Sequence, residues 1–376
     1  MKHKKKIKKN NISLIAFFFI LVVFGLIILA SASSVVGFTN FGDNYYYFKH
    51  QFLFGFLPGL FLFFLCSKIP YKFWQKNAVW LLLISLVLLI LVFVPSIGKE
   101  HNNAKSWINL GFATIQPAEI MKLILIIYLS AWFSRLRQGY GGQAKKKDHI
   151  KSFSHGFVPF LILLGVTAGL VAFQQDVGTM SIIVLIAVGI FFTAGAKWSH
   201  LISLFLLSSV ILTSLIKLAP YRLNRITAFI NPEIDTQGIG YHINQALLAV
   251  GSGGLFGLGF NNSLQKFEYL PEVPGDSIFA IMAEELGFVF STLFIILLFY
   301  FIFKILKIAK FAPDDFARLF CVGLAVWIGG QAIFNIGAMI GILPLTGVPL
   351  PFVSFGGTSL MILMAGSGIL VNISKS

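Results

Sequence analysis

NSLQKFEYLPEVPGDSIFAIMAEELGF, residues Asn262 to Phe288, passes from a polar turn into an apolar helix within a few positions. Pro271 and Pro274 exclude a continuous helix ahead of Asp276, so Glu268, Glu272 and Asp276 fall on irregular backbone. From Ser277 onward the chain stays apolar to about residue 304, longer than the roughly 20 residues that cross a bilayer. Glu284 and Glu285 lie two turns inside that span, where ionisable groups are costly and usually face a partner or a wet cavity. A carboxylate at Asp276 suits the start of such a helix as a cap. The same position suits a base or a cation ligand where a polar substrate meets lipid.

Working outward, nine further apolar segments join it, at about 12–34, 50–67, 78–96, 118–135, 156–173, 178–195, 199–218, 316–340 and 350–372. With 57% hydrophobic and 11% charged residues in a chain of 376, this is the composition of a polytopic membrane protein. The segments lack strand-like alternation, which excludes a β-barrel. The expected fold is therefore all-α, with about ten transmembrane helices and a large external loop between the seventh and eighth. The first segment is longer than a signal-peptide core and lacks a cleavage site, so it is read as a span.

The net charge of +15 is distributed as topology rather than as a nucleic-acid footprint. Lys2, Lys4, Lys5, Lys6, Lys8 and Lys9 open the chain. Further bases fall in alternate connections: Lys68 to Lys76, Arg135 to Lys151, Lys197, Lys304 to Arg318, and Lys375. Ten spans place all of these on one side, the cytoplasmic one by the positive-inside rule, with both termini. Membrane lipid is the partner this implies, and nucleic acid is excluded. Cys66 and Cys321 are isolated in apolar segments and read as packing residues.

The organisation is a single transmembrane domain over 1–376, with a basic tail (1–11), a solvated cytoplasmic loop (136–154) and an external loop (219–276). That external loop is too rich in Gly and apolar residues for disorder, and Tyr241 to Val250 reads as a short amphipathic or re-entrant helix. A second external connection spans about 97–117.

Arg222 and Arg225, three apart, with Lys266, offer a clamp for a phosphorylated headgroup, against simple snorkelling at the interface. Glu119 and Lys122 share a helical face and can pair with each other or with Asp176, as a structural ion pair. The glycines of GSGGLFGLG (251–259) lack the strand–helix setting of a nucleotide loop and fit close backbone approach. No Walker motif is present, so no nucleotide cofactor is expected.

These motifs carry a resemblance. NNAKSWI, IQPAEIMK, QQDVGT, YRLNRITAFINP, QALLAVGSGGLFGLGF, the quoted 262–288 stretch, Gln331, Asn335 and LPLTGVPLPFVSFGGTSL occur in order. Together they resemble the SEDS family (shape, elongation, division and sporulation), and its FtsW branch more than its RodA branch. The resemblance implies a peptidoglycan glycosyltransferase that polymerises lipid II into β-1,4-linked glycan at the outer face of the bacterial cytoplasmic membrane, in cell division. It places the family's essential aspartate on Asp276 and a second acidic position on Glu268. Glu272, Arg222, Arg225, Lys266 and Gln265 become substrate-binding candidates, and Glu119, Lys122, Asp176, Glu284 and Glu285 auxiliary polar groups. A divalent cation (Mg or Mn) held through a carboxylate is a further expectation. So are the partners: lipid II and the growing strand, a class B penicillin-binding protein that cross-links it, and other divisome proteins. Gly275 and Ser277 stand where relatives carry Thr and Phe, Gln175 where they carry Pro, Ala118 for Ser and Phe355 for Tyr. A lipid II flippase, an elongation-type polymerase of the RodA kind and a pure division scaffold are the alternatives.

Overall fold

The computed structural model describes the chain apart from residues 1, 102–103, 110, 112, 139–148, 218–226, 228 and 231–237. Thirteen α-helices follow in order among the described residues: α1 (Lys2–Ala32), α2 (Ser34–Phe41), α3 (Tyr46–Gln51), α4 (Leu57–Lys68), α5 (Tyr71–Leu91), α6 (Pro117–Gln138), α7 (Val158–Phe173), α8 (Val177–Ala194), α9 (Trp198–Lys217), α10 (Ile239–Ser252), α11 (Ile278–Lys310), α12 (Asp315–Met339) and α13 (Gly357–Lys375). A π-helical stretch, Phe52–Phe56, joins α3 to α4, so that Tyr46–Lys68 forms one span. Among the described residues nine helices are long and apolar enough to cross a membrane, and the apolar part of α9, Trp198–Val210, accompanies them. The chain is a multi-pass membrane protein.

Local signals set the helix ends. Pro117 opens α6 at a position where a missing N–H costs nothing. Asp176 caps α8 by accepting from the Thr179 N–H at 2.9 Å, and left-handed Gly195 closes that helix. Asp314 caps α12 in the same way through Ala317 N–H. Helices α6 and α12 are the most enclosed spans and form the centre of the bundle. Around it, Phe61, Trp80, Ile84 and Phe205 turn outward to the lipid side. Glycines set close helix contacts: a Cβ at Gly368 would stand 2.4 Å from the Phe63 carbonyl, and one at Gly59 would meet Met364. Both cysteines are buried, as expected of packing residues.

Two boundaries differ from the sequence reading. The third span is Tyr71–Leu91 rather than 78–96, and the last begins at Gly357 rather than at 350. Val92 and the stretch Leu350–Val353 are apolar because they pack inside the protein as irregular chain, which hydropathy alone cannot tell from helix. The connection after α5 is not plain loop. It holds a three-stranded antiparallel sheet of β1 (Gly98–His101), β2 (Ala104–Asn109) and β3 (Thr114–Ile115). Thr358 at the start of α13 donates to the Thr114 carbonyl, so the sheet and the 345–356 segment occupy the same end of the bundle. The expected helix at 241–250 is present as α10. Much of the 136–154 loop lies outside the described residues.

Candidate active site

Asp276 stands at the junction of three segments. The preceding turn folds on itself: Gly275 and Ser277 both donate their N–H to the Glu272 carbonyl, at 3.0 and 3.3 Å. Glu268 and Glu272 adopt left-handed backbone (φ 67° and 51°), which such residues rarely adopt. The side-chain amide of Asn335, on α12, donates to the Asp276 carbonyl at 2.7 Å and to that of Val348 at 2.9 Å. Phe355 N–H meets the Pro274 carbonyl at 2.8 Å. The result is a tight crevice, too narrow to hold a water molecule, lined by Asp276, Asn335, Met339, Thr346, Gly347 and Val348. Gly347 (φ 70°) has the left-handed backbone that favours glycine, and a Cβ there would lie in ordinary contact, 4.0 Å from Asp276 Oδ2. The N-cap of α11 is Ser277, one residue beyond Asp276, so the capping reading of the aspartate is displaced by one position.

Glu284 and Glu285 hold this turn in place from below. Glu284 accepts from the Ser263 hydroxyl and from the Leu264 N–H at 3.0 Å. Glu285 accepts from Ser31 Oγ at 2.6 Å and pairs with Lys266 Nζ at 3.0 Å. Lys266 also donates to the Asn261 carbonyl and side chain, at 2.8 and 2.6 Å. Each of these charges is buried, and each has the partner that burial demands. Lys266 is therefore corrected: it is a structural counter-ion inside the protein rather than a clamp facing a headgroup.

The helix carrying the two glutamates is broken at Gly287 (φ 75°, ψ −177°). The glycine-rich loop is spliced into the break. Leu258 and Gly259 N–H reach the carbonyls of Glu284 and Glu285, at 2.9 and 3.0 Å. Phe288 and Val289 N–H reach Gly254 and Leu255, at 2.9 and 3.1 Å. Two carbonyls and two N–H groups released by the break thus regain partners, as buried irregular backbone requires. A Cβ at Gly287 would stand 2.2 Å from Gly257 N, so both glycines serve close backbone approach, as the sequence suggested.

A second polar group lies beside the cleft. Glu119 and Lys122 pair at 2.6 Å, fully buried, and Lys122 sits 5.2 Å from the Trp327 ring centroid. Gln116 donates to Asp176 Oδ2 at 3.0 Å. Burial pushes the Asp176 carboxyl above its ordinary range, against the Thr179 N–H and the Lys122 charge, which favour ionisation. A Cβ at Gly178 would meet the Thr346 carbonyl at 2.4 Å, so this group and the Asp276 cleft share the 345–348 wall.

Of the residues singled out in the sequence, the structure brings Asp276 to the cleft and leaves Glu268 and Glu272 exposed on its approach. Gln265 is half-buried, with its N–H directed at Glu284. Arg222 and Arg225 lie outside the described residues. Among the described residues no three His, Cys, Asp or Glu side chains gather as a metal cage. Sequence reading missed what Asn335 does, the wall of Thr346 and Gly347, and His242, whose Nε2 lies 2.7 Å from Ser277 Oγ. Asn335 was noted only as part of a motif, and nothing local pointed to its partner 59 residues away.

A bundle of this kind, with an acid-bearing turn walled by irregular chain at one end, defines a class of polytopic membrane proteins, and the comparisons supply which. The chain belongs to the FtsW, RodA and SpoVE family, described as cell cycle protein, whose family model matches residues 11–376. It is 38% identical over 356 residues to stage V sporulation protein E of Bacillus subtilis, covering 95% of this chain and 94% of that one. It is 37% identical over 359 residues to the probable peptidoglycan glycosyltransferase FtsW of Coxiella burnetii, covering 94% and 93%. Among solved structures it is similar to a chain described under "Structural coordination of polymerization and crosslinking by a peptidoglycan synthase complex" (TM-score 0.77, 26% identity, 96% of both chains). It is also similar to the rod shape determining protein RodA of Thermus thermophilus (TM-score 0.68, 25% identity, 96% and 95%).

Proposed function

We propose that this protein is a peptidoglycan glycosyltransferase that extends glycan strands from lipid II, with Asp276 as the general base. The observation that carries the assignment is the cleft itself. Asp276 is fixed through its backbone by Asn335, and its side chain lines the crevice bounded by the 345–348 wall. The acceptor's GlcNAc 4-hydroxyl gives its proton to the carboxylate as its oxygen attacks C1 of the donor MurNAc. The new C1–O4 bond forms while the C1–O bond to undecaprenyl pyrophosphate breaks, and that electron pair leaves with the pyrophosphate. One displacement at an α-linked donor gives the β product without a covalent enzyme intermediate. General-base work of this kind contributes about 10²–10⁴-fold in rate.

The exposed carboxylates Glu268 and Glu272 border the approach, and Arg222 and Arg225 remain the candidates for the departing pyrophosphate. Lys266 is committed to Glu285 and takes no part. By the distribution of basic residues, the termini are cytoplasmic and the Asp276 end external. Relatives named FtsW support a role in septal wall synthesis. The similarity to a chain of a synthase complex that polymerises and cross-links supports a transpeptidase partner of the class B penicillin-binding type.

The test is polymer formation from purified lipid II in detergent. Wild-type protein should give glycan strands, and Asp276→Ala none while keeping its melting temperature. Undiminished polymer from the variant refutes the assignment. A second reading, movement of lipid II between leaflets, draws on the buried Glu119–Lys122 pair beside Asp176. Polymer made in detergent, where there are no leaflets to cross, counts against transport as the whole function.

A further inference from the structure

Ser277 has one hydroxyl hydrogen and two polar neighbours at 2.7 Å, the Pro271 carbonyl and Nε2 of His242. The carbonyl can only accept, so the hydroxyl donates to it and must accept from the imidazole. His242 therefore carries its hydrogen on Nε2. Ser277 is wholly buried, while His242 is half-buried on the first turn of α10. The bond thus ties together α10, the Pro271 turn and the residue that starts α11. Asp276 is caught between two anchors: its own carbonyl is held by Asn335, and the next side chain by His242.

We propose that His242 is a positioning residue for glycosyl transfer, which sets the aim of the Asp276 carboxylate by donating Nε2–H to Ser277. The attachment of α10 does not need this bond, because Ile243, Ala246 and Ala249 already bury its apolar face in the core. A polar contact added to a packed face contributes direction rather than burial. Direction matters at a general base, since a displacement of about 1 Å costs on the order of 100-fold in rate. The link also makes the placement of α10, which flanks the cleft, part of the reactive geometry. It rests on Asp276 being the general base.

The test uses the full chain in detergent with lipid II, measuring kcat, KM and melting temperature. The variants are His242→Leu, His242→Gln, Ser277→Ala and the double variant His242→Leu with Ser277→Ala. His242→Leu and Ser277→Ala should each lower kcat by about 10–100-fold, with KM within about twofold and melting unchanged. Glutamine presents an N–H at similar reach and cannot titrate, so His242→Gln should recover most of kcat. The double variant should be no worse than either single one, as one shared bond requires. An active wild type whose His242→Leu and Ser277→Ala variants keep full kcat overturns the link alone. So does a loss that glutamine fails to restore and that follows the melting temperature. Should His242→Leu not fold, Ser277→Ala and His242→Gln decide by the same criteria. A wild type that makes no polymer overturns the functional reading, and the link with it.

Discussion

The side-chain amide of Asn335 holds the carbonyl of Asp276 at 2.7 Å and that of Val348 at 2.9 Å, so a single NH2 group fastens both walls of the cleft. Asn335→Leu would leave two carbonyls without this donor, at a cost of about 1–3 kcal/mol for each one left unsatisfied. The expected outcome is a kcat reduced by about 10–100-fold, with a smaller change in KM. Steady-state polymerisation assays check it, and an unaltered kcat would show that the cleft keeps its shape without the amide.

Lys266 and Glu285 answer to a stability measurement. Lys266→Met strands a buried carboxylate, which costs about 3–5 kcal/mol, whereas replacing both members by apolar or neutral groups recovers much of the loss. Thermal melting of Lys266→Met, Glu285→Gln and the double variant should therefore show the double melting above the Lys266→Met single. A headgroup clamp would behave oppositely, with KM raised and melting untouched.

Gly287 occupies backbone open essentially to glycine alone, and its missing Cβ leaves room for Gly257 N. Gly287→Ala should lower the melting temperature and the yield of folded protein, by strain of about 1–3 kcal/mol with the backbone overlap in addition. Gly165→Ala, at a helical position with nothing within 4 Å, is the matched control and should be neutral or slightly stabilising.

Asp176 gives a pH-dependent expectation. Its folded carboxyl binds a proton more tightly than the unfolded chain does, because burial raises it. Its contribution is therefore most favourable below the ordinary carboxylate range and declines as pH rises through the elevated folded value. Asp176→Asn keeps a capping oxygen and removes the penalty. It should melt no lower than wild type at neutral pH, with any advantage shrinking toward acid pH. Melting curves over that range check it, and an advantage that grew on acidification would contradict the assigned cause.

Much of this was legible in the sequence because membrane burial leaves few choices. Glu284 and Glu285 had to have partners, and the glycines of 251–259 had to admit another backbone; both requirements are met. What the sequence could not show was identity at a distance. Glu285 finds Ser31 some 254 positions away, and Asn335 finds Asp276 across 59. Lys266 was misjudged because a lysine on the side expected to hold few bases was read as facing outward. Its burial depends on Glu285 returning beside it through the fold of the intervening turn. The last span was started too early because Leu350–Val353 is as apolar as a helix, and only its packing shows that it is a wall.

The break at Gly287 divides α11 unequally. Phe288–Lys310 alone is about 23 residues, roughly 34 Å of helix, which already matches the thickness of the hydrocarbon slab. The nine or so residues from Ile278 to Leu286 are surplus to crossing it and rise roughly 13 Å further as a pedestal. On the function proposed above, the pedestal lifts the Asp276 carboxylate clear of the acyl chains. On that proposal a sugar substrate meets it in water while its prenyl anchor stays immersed, and a lengthening strand leaves sideways without being dragged through oil.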